Sequence, residues 1–358
     1  MINVTKSYLP DLKKYVSYLE GIWQSGQLTS NGPLVLELEE KIKNYLGVKH
    51  FYFLNNGTTA LLIAIKAAGL SGEVITTPFS YVATTSSLVW QGCKPVFVDI
   101  DSSNYTIDPE KIRDKITPAT TAIVATHVFG FPCNVEEIDE IAKEFNLQVI
   151  YDAAHAFGAE YKNKSLLSFG DISVLSFHAT KLFHTVEGGG IATNNDELAH
   201  KVSYMRNFGH KGQEDFYGIG INGKSSELHA AMGLCIFPHI KEIISKRSAI
   251  CNLYNILLKE FQLLTKPFFR SNFVTYNYSY YPVLFNDEDI LIDTKIRLEM
   301  AGINCRRYFY PPLNRLNYVE NNLENSVSDS ISKRILCLPL YHDLTAADVK
   351  LICSIIIK

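Results

Sequence analysis

Apolar positions at the start of the chain recur with helical spacing. One face of the first segment carries Leu12, Tyr15, Leu19, Ile22 and Trp23. This spacing predicts a helix over residues 9–24. A polar stretch follows, and Pro33 predicts the start of a second helix that Gly47 ends. The apolar run over residues 51–54 then predicts a short buried strand.

The same alternation of strand and helix signals continues to about residue 151. The predicted strands are residues 73–76, 95–98, 122–126 and 147–151, and the predicted helices are residues 60–69, 80–91 and 134–145, with a further helix start at Asp108-Pro109. Short apolar strands separated by helices predict an α/β fold with a mostly parallel sheet covered by helices on both faces. Functional groups of such sheets gather beyond the carboxyl ends of the strands. Thr58, Tyr81, His127, Asp152 and His155 all follow predicted strands closely.

The pattern changes after Glu227. We predict a long helix over residues 240–260, a tyrosine-rich strand over 274–284, a helix over 287–301, a strand over 303–307 and a closing helix over 345–356. The predicted organisation is therefore a large domain over residues 1–238 and a smaller α+β domain over residues 239–358. The tyrosines are expected mainly as half-buried strand residues, and the loop over residues 308–312 is placed to approach a substrate.

Composition narrows the class of protein. Of 358 residues, 47% are hydrophobic and 20% are charged, which is typical of a globular chain with a large core. A net charge of −3 indicates neither a nucleic-acid partner nor a membrane-surface partner. The longest apolar runs are too short to span a membrane, and the N-terminus lacks the layout of a signal peptide, so we expect a cytoplasmic protein. The seven cysteines form no CxxC pair, so we expect neither a metal site nor a disulfide.

A single lysine stands out in the stretch over residues 171–190. An apolar strand leads into a turn with Lys181, and Gly188, Gly189 and Gly190 then run into a second strand. Burying a lysine between two strands is costly unless something uses or compensates its charge. Judged by this stretch alone, an exposed turn lysine is the favoured interpretation.

Two further features change that interpretation. Asp152 follows a buried strand and needs either a cationic partner or a role as a helix cap. The turn Gly57-Thr58-Thr59 opens a helix, and it suits either a bound phosphate or a simple threonine cap. A carboxylate for a pyridine nitrogen, an amine for a Schiff base and a phosphate-binding helix start together match pyridoxal 5′-phosphate (PLP).

Motifs along nearly the whole chain point the same way. They are LTSNGP at 28–33, NGTTAL at 56–61, YVAT at 81–84, FVDID at 97–101, HVFG at 127–130, DAAHAFG at 152–158, SFHATK at 176–181, EGG at 187–189, RNFG at 206–209 and LPL at 338–340. In this order and spacing the sequence resembles the DegT/DnrJ/StrS sugar-nucleotide aminotransferases, which have the aspartate-aminotransferase fold (PLP fold type I). SFHATK further resembles the subgroup that aminates C4 of a dTDP-linked 4-keto-6-deoxyglucose.

The resemblance implies roles for individual residues around the cofactor ring. Lys181 would carry PLP as a Schiff base and, once released, would move the proton between Cα and C4′. Asp152 would pair with the pyridinium nitrogen, and His155 would lie near the phenolic oxygen. Tyr81 would stack on the ring.

The resemblance also implies how the phosphate and the substrate are held. Backbone N–H groups of Gly57 and Thr58, with the hydroxyl of Ser176, would bind the phosphate. Asn222 of one subunit would reach the phosphate bound by its partner, so a homodimer with shared sites is expected. Lys224 and Tyr308 are the candidate substrate contacts, although Gly223 departs from the family pattern next to Lys224.

The implied reaction moves the amino group of L-glutamate to a nucleotide-linked keto sugar. The expected pair is dTDP-4-keto-6-deoxy-D-glucose and dTDP-4-amino-4,6-dideoxy-D-glucose, used in surface polysaccharide (O-antigen) synthesis. The alternatives are a 3-keto-sugar or UDP-sugar aminotransferase, a dehydratase of the same fold, and a non-catalytic nucleotide-sugar binding protein. Dehydratase relatives replace the lysine with histidine, so Lys181 argues against that alternative.

Other polar residues near these motifs have simpler interpretations. His178 and His184 flank the lysine, but without a carboxylate or cysteine at ligand spacing they are expected to be structural. Glu187 is expected to orient the glycine turn. Arg206 suits either a carboxylate or phosphate partner or an exposed helix end, and the sequence leaves that choice open.

Overall fold

The computed structural model describes residues 1–259, 273–320, 323–324 and 326–357. In this part of the chain the helices are α1 (Leu12–Ser25), α2 (Pro33–Leu46), α3 (Gly57–Ala67), α4 (Val82–Trp90), α5 (Val135–Phe145), α6 (Asp196–Met205), α7 (Glu227–Ile236), α8 (Ile240–Leu257), α9 (Glu288–Met300), α10 (Val327–Arg334) and α11 (Ala346–Ile356). The strands are β1 (His50–Leu54), β2 (Glu73–Thr76), β3 (Lys94–Phe97), β4 (Thr120–Thr126), β5 (Gln148–Asp152), β6 (Glu160–Tyr161), β7 (Lys164–Ser165), β8 (Ile172–Ser176), β9 (Gly189–Thr193), β10 (Val274–Thr275), β11 (Tyr281–Leu284) and β12 (Ile335–Leu338).

The central sheet has seven strands in the order β1-β9-β8-β5-β4-β2-β3. Strand β9 runs antiparallel to both of its neighbours, and the remaining pairs are parallel. The predicted mostly parallel sheet is therefore confirmed. Strand β5, which ends at Asp152, pairs directly with β8, which leads to Lys181. Their carboxyl ends accordingly open on one edge of the sheet.

Apolar side chains cover both faces of this sheet. One core packs α2 and α7 residues such as Leu38 and Leu234 against Phe53 and Leu175. The other packs α3 residues, including Ile63 and Ala64, against β4, β5 and β8. Helices on both faces leave the strand ends as the accessible edge, which is where a ligand site forms in such folds.

Several predicted boundaries are confirmed by cap geometry. Helix α2 begins at Pro33, and Gly47 ends it with a left-handed φ of 62°. Helix α11 begins after Thr345, whose side chain and that of Asp348 form a capping box. Helix α8 begins at Ile240 as predicted and ends at Leu257, while residue 260 of the prediction lies outside the described residues.

Other predicted elements are wrong or missing, most of them in the later part of the chain. The strand predicted over residues 303–307 consists only of isolated bridges, Ile303 with Ile2 and Arg306 with Cys337. The strand predicted over 274–284 is two short strands, β10 and β11, in different sheets, because Tyr278 takes a left-handed φ of 55° between them. Asp108-Pro109 starts only a 3-10 turn, Pro109–Lys111. Elements β12, α6 and α10 were not predicted.

The first eight residues form an extended segment that the sequence did not reveal. Ile2 exchanges backbone hydrogen bonds with Gly302 and Asn304, at 2.8 Å each. Farther along, the Ser7 hydroxyl donates to the Ala179 carbonyl at 2.6 Å. The N-terminal segment therefore joins the end of α9 to the loop that carries Lys181.

Among the described residues, no helix is both long and apolar enough to cross a bilayer. Side chains of the same residues form no group of three or more that suits a metal ion. All seven cysteines are free, and all except Cys305 are buried.

Candidate active site

A cavity of about 260 Å³ opens at the carboxyl edge of the central sheet. Eight of the ten predicted site residues line it: Gly57, Thr58, Tyr81, Asp152, His155, Ser176, Lys181 and Tyr308. They come from the ends of β1, β2, β5 and β8 and from the loop after α9. The sheet topology thus brings together strand ends from Gly57 to Lys181, and the loop after α9 adds Tyr308 from a distant part of the chain.

Lys181 lies in the loop between β8 and β9, and its side chain is partly buried. Its backbone N–H donates to the His178 carbonyl at 2.8 Å, which closes a tight turn. Desolvation lowers the pKa of Lys181 to about 8, although the charge of Asp152 opposes this shift. The exposed turn lysine favoured by the local stretch is therefore wrong, because this loop folds inward over the strand ends. An amine with this pKa is partly unprotonated near neutral pH and can act as a nucleophile or a base.

Asp152 ends β5 and is 5% exposed. One carboxylate oxygen accepts from the Thr84 hydroxyl at 2.6 Å, and the other accepts from the Ala154 N–H at 3.1 Å. Burial raises the pKa of Asp152, while these two hydrogen bonds and the charge of Lys181 oppose the shift. The carboxylate therefore faces the cavity as a buried anion for which a cationic ligand group is a favourable partner.

His155 lies against the same cavity. Its Nδ1 accepts from the Phe129 N–H at 3.1 Å, so a neutral ring carries its proton on Nε2. The imidazole stacks with Phe129 and Phe309 at interplanar angles of 6° and 4°. Desolvation, followed by the charge of Lys181, holds the pKa of His155 well below its usual value. The ring is thus a neutral hydrogen-bond donor.

The turn before α3 packs closely against the end of β8 and lines the cavity. The Asn56 side chain, rather than Thr58, caps the helix by accepting from the Thr59 N–H at 2.7 Å, so the simple threonine cap is wrong. Asn56, Gly57 and Thr58 line the cavity at the positive end of the helix. A Cβ on Gly57 would lie 3.0 Å from that of Ser176, which shows how tightly this turn meets the end of β8.

The glycines after Lys181 are required by the same packing. A Cβ on Gly189 would lie 2.4 Å from the Asn56 carbonyl carbon and 2.7 Å from the Gly57 nitrogen. A Cβ on Gly188 would lie 2.0 Å from the Thr185 hydroxyl. Strand β9 therefore supports the turn at the start of α3 only because it lacks side chains there.

Two predicted residues lie outside the cavity. The Asn222 carbonyl accepts from the Asn55 side chain at 3.2 Å, and the Asn222 side chain is exposed. The Lys224 amine donates to the Asn222 side-chain oxygen at 3.0 Å and lies 4.6 Å from the centre of the Phe208 ring. Within one chain, neither residue contacts the site.

The remaining candidates have structural partners. Arg206 is buried and pairs with Glu39 while also donating to the Phe53 carbonyl at 3.2 Å, so the exposed interpretation is wrong. His184 Nε2 lies 2.8 Å from the Tyr8 carbonyl oxygen. His127 is fully buried and stacks on Tyr151 with ring centres 4.5 Å apart.

His178 and Glu187 stand at the cavity as a pair. His178 Nε2 lies 3.6 Å from a Glu187 carboxylate oxygen, and both residues line the cavity. The Glu187 carbonyl also accepts from the Thr185 hydroxyl at 2.8 Å, which holds the turn that precedes the glycines. Glu187 was expected to orient the glycine turn, and the contact that holds this turn is made by its main-chain carbonyl.

Several residues of the site were not predicted from the sequence. Thr84 does not line the cavity but donates to Asp152. It lies in the YVAT motif, so its position three residues after Tyr81 was an available signal. Tyr280 and Arg306 line the cavity. They come from the later part of the chain, where the strand prediction was wrong and no motif marks them.

Known proteins resemble this chain over almost its whole length. The sequence model of the DegT/DnrJ/EryC1/StrS aminotransferase family matches residues 11–357. A dTDP-4-amino-4,6-dideoxy-D-glucose transaminase from Shigella dysenteriae is 42% identical over 362 residues, covering 99% of this chain and 98% of that protein. A transaminase of the same name from Escherichia coli is 41% identical over 352 residues, covering 96% and 94%. The crystal structure of DesI with its TDP-sugar product superposes with a TM-score of 0.90 at 29% identity, covering 99% of this chain and 91% of DesI.

These similarities and the site geometry place the molecule among the α/β aminotransferases. The chain belongs to the DegT/DnrJ/EryC1/StrS aminotransferase family. Membership of this family implies dependence on PLP.

Proposed function

We propose that this protein transfers the amino group of L-glutamate to C4 of dTDP-4-keto-6-deoxy-D-glucose. The product would be dTDP-4-amino-4,6-dideoxy-D-glucose, a precursor for surface polysaccharide such as O-antigen, made in the cytoplasm. The observation that supports an aminotransferase most strongly is the enclosure of Lys181 and Asp152 in one cavity with the glycine turn of α3. The two transaminases at 41–42% identity support this particular sugar.

The residues of the cavity fit PLP. Asp152 is a buried carboxylate suited to a protonated ring nitrogen, and Gly57 and Thr58 offer backbone N–H groups at a helix start suited to a phosphate. Lys181 would hold the cofactor as a Schiff base. When bound, PLP supplies an electron sink that stabilises negative charge at the carbon next to the transferred nitrogen.

The side chains of this chain would then divide the work. Lys181, with its pKa lowered to about 8, removes the proton from Cα of the amino acid and later protonates the sugar carbon. Asp152 holds the proton on the ring nitrogen. His155, a neutral ring with its proton on Nε2, would offer this donor to the phenolic oxygen.

The walls of the cavity would hold and shield the ligand. Tyr81, which lines the cavity, would cover one face of the ring and limit the access of water. Ser176 joins the N–H groups of Gly57 and Thr58 at the phosphate. Tyr308, which also lines the cavity, would contact the sugar.

We further propose that the active enzyme is a homodimer. Asn222 and Lys224 lie outside the cavity of their own chain, so a role at a site requires a second copy. The segment that carries them exposes Phe208, Phe216 and Ile219, whose apolar side chains suit burial against a partner. Asn222 would reach the phosphate site of the partner subunit. Lys224 would contact the substrate bound in that same site.

A substrate panel tests the proposed function. The purified holoenzyme is incubated with L-glutamate and with dTDP- or UDP-linked 4-keto and 3-keto 6-deoxy sugars, and 2-oxoglutarate release is measured. We expect release with the dTDP-linked 4-keto sugar. Release only with a 3-keto or a UDP-linked sugar would contradict the proposed substrate but keep the reaction class, and a lack of release with every sugar would contradict both.

A further inference from the structure

A short loop between β10 and β11, residues 277–279, holds the main chain at His155, and the function proposed above gives this loop no role. The Asn277 side chain donates to the His155 carbonyl at 2.7 Å and to the Phe157 carbonyl at 3.0 Å. The Ser279 hydroxyl donates to the same His155 carbonyl at 2.8 Å. Both lone pairs of this carbonyl are therefore used by side chains that lie 122 and 124 residues later in the chain.

The loop has an uncommon backbone conformation that is held from behind. Tyr278 takes a left-handed φ of 55°, which is rare for a bulky residue. On either side of it, the Ser279 N–H donates to the Asn277 side-chain oxygen at 3.2 Å. Arg247 of α8 is 4% exposed and donates from Nε to the Tyr278 carbonyl at 2.8 Å and from Nη2 to the Ser279 carbonyl at 2.6 Å. Burying a guanidinium costs free energy, and here its donors are used to fix two carbonyls of one loop.

The contacts of the loop continue to the His155 ring. Tyr280, which follows the loop directly, packs on this ring with centres 4.7 Å apart. Asn277 also lies against the segment that supplies the Phe129 N–H to Nδ1 of His155, since a Cβ on Gly130 would lie 2.6 Å from the Asn277 side-chain oxygen. The main chain, Nδ1 and one face of His155 are thus all fixed by neighbours. A shift of the main chain would change the direction in which Nε2 donates.

We propose that the loop over residues 277–279 and the Arg247 side chain position His155 as the hydrogen-bond donor to the phenolic oxygen of PLP. This inference rests on the proposed function, in which Nε2 of His155 makes that hydrogen bond. Neither the loop nor Arg247 lines the cavity of about 260 Å³, so their effect on the cofactor is exerted through His155. Hydrogen bonds weaken steeply as the donor angle departs from linearity, so a small rotation of the ring is enough to weaken this one.

The proposal predicts a spectroscopic change at the Schiff base. A donor on the phenolic oxygen withdraws negative charge that would otherwise stabilise a proton on the Schiff-base nitrogen of Lys181. Weaker donation from His155 should therefore raise the pKa of the lysine–PLP chromophore, which is measured by absorbance against pH. We expect this pKa to rise by roughly 0.5 to 1 in Ser279→Ala, the effect of weakening one hydrogen bond. Arg247→Lys keeps the charge but loses the forked donors, so it should shift the pKa in the same direction.

Thr193→Val is the matched control. Thr193 is 2% exposed, its hydroxyl donates to the Asp171 carbonyl at 2.6 Å, and it does not line the cavity. All three variants keep the charges that line the cavity, and thermal unfolding measures the general loss of stability in each. The chromophore pKa of Thr193→Val should equal that of wild type. An equal rise in Thr193→Val and Ser279→Ala would assign the change to a loosened core and overturn the proposal.

A second route from Ser279 to Lys181 needs its own test. Both residues, with His155, line a small cavity of about 10 Å³, close to the minimum that holds one water. His155→Phe removes the donor and keeps an aromatic ring against Phe129 and Phe309. This variant should raise the chromophore pKa, and adding Ser279→Ala to it should raise the pKa no further. A further rise of the same size would assign the effect to direct contact with Lys181 and overturn the proposal.

Failure of the positioning role differs from failure of the proposed function. If the wild-type chromophore does not respond to L-glutamate, the proposed function fails, while the comparison of chromophore pKa values still tests the positioning role. If Ser279→Ala does not fold, Arg247→Lys gives the same test from a residue that lines neither cavity. If the variants of Ser279 and Arg247 fold and leave the chromophore pKa unchanged, only the positioning role is overturned.

Discussion

Lys181 and Asp152 share a cavity in which each stabilises the charged form of the other. Burial lowers the pKa of Lys181 to about 8 and raises the pKa of Asp152, while their mutual attraction opposes both shifts. Thr84 and the Ala154 N–H keep the carboxylate in place as an acceptor. The chemistry therefore depends on a buried anion that is partly satisfied by the protein and completed by a ligand.

Asp152→Asn should decrease kcat by roughly 100-fold or more, because a neutral amide cannot hold the proton on the ring nitrogen with its charge. Asp171→Asn is the matched control. Asp171 is also a partly buried carboxylate. It accepts a hydrogen bond from the Val149 N–H at 2.7 Å, but it does not line the cavity. Steady-state kinetics with saturating glutamate checks the difference. Wild-type kcat in Asp152→Asn would contradict the assigned role.

Sequence reasoning located the residues that belong to motifs near strand ends. Lys181, Asp152 and Gly57 were predicted because their chemistry fits a cofactor and their strands alternate with helices. Arg306 was missed because its position in the cavity depends on pairing with Cys337, thirty-one residues away, which no local pattern reveals. The sequence did not decide whether Arg206 is paired or exposed for the same reason, because its partner Glu39 lies 167 residues away.

Strand β9 and the start of α3 form a unit that depends on the absence of side chains. Gly189→Ala should destabilise the protein by about 1–3 kcal/mol through overpacking against the Asn56–Gly57 peptide, and it should weaken PLP binding. Gly21→Ala is the control, because a Cβ there meets nothing within 4 Å in helix α1. It should stabilise the protein by about 0.5–1 kcal/mol. Urea denaturation and a PLP titration measure both effects, and equal behaviour of the two variants would contradict this account.

The N-terminal segment positions the loop that carries Lys181. Ser7→Ala removes the donor to the Ala179 carbonyl and should cost about 1 kcal/mol of stability. It should also slow the reaction of Lys181 with added PLP. In the control Ser17→Ala, the lost hydrogen bond lies within exposed helix α1, to the Lys14 carbonyl. The rate of chromophore formation distinguishes them, and an unchanged rate in Ser7→Ala would show that the segment does not position the loop.

Elements with strong periodicity were predicted well, and short elements were not. Helix α2 carries its own start and stop signals, Pro33 and Gly47, so local sequence defines it. Strands β11 and β12 are far apart in the sequence but pair with each other. The sequence of Tyr281–Leu284 alone does not indicate this partner. Residues 303–307 have an apolar start typical of a strand, but single bridges to Ile2 and Cys337 hold them instead.

The division into domains over residues 1–238 and 239–358 remains a proposal. A separate apolar core supports it, formed by α8, α9, α11 and the β11–β12 pair, with Tyr254, Leu298 and Ile352 at its centre. The N-terminal segment crosses this division, since Ile2 packs on that core while Ser7 binds the lysine loop.

Buried neutral histidines should make the free energy of unfolding of the whole molecule depend on pH in mild acid. Burial lowers the pKa of His127 to about 3, holds the pKa of His155 well below its usual value and lowers the pKa of His184. The unfolded chain binds protons at these positions near pH 6.5 while the folded chain does not. The free energy of unfolding should therefore fall as pH drops from about 7 to about 5, by up to about 1.4 kcal/mol per pH unit for each histidine.

The variant His127→Phe removes one of these groups. Urea denaturation at several pH values should give a slope that is smaller by about one proton than that of wild type. An identical slope would show that His127 does not titrate in the unfolded chain as argued.

The covalent role of Lys181 is the central claim, and reduction with borohydride tests it most directly. The holoenzyme is reduced, digested and examined by mass spectrometry, beside Lys181→Ala treated in the same way. We predict that the phosphopyridoxyl mass is found on the peptide that contains Lys181, that prior addition of L-glutamate prevents the labelling, and that Lys181→Ala binds PLP without labelling or turnover. Labelling of another lysine, or full activity in Lys181→Ala, would contradict the account.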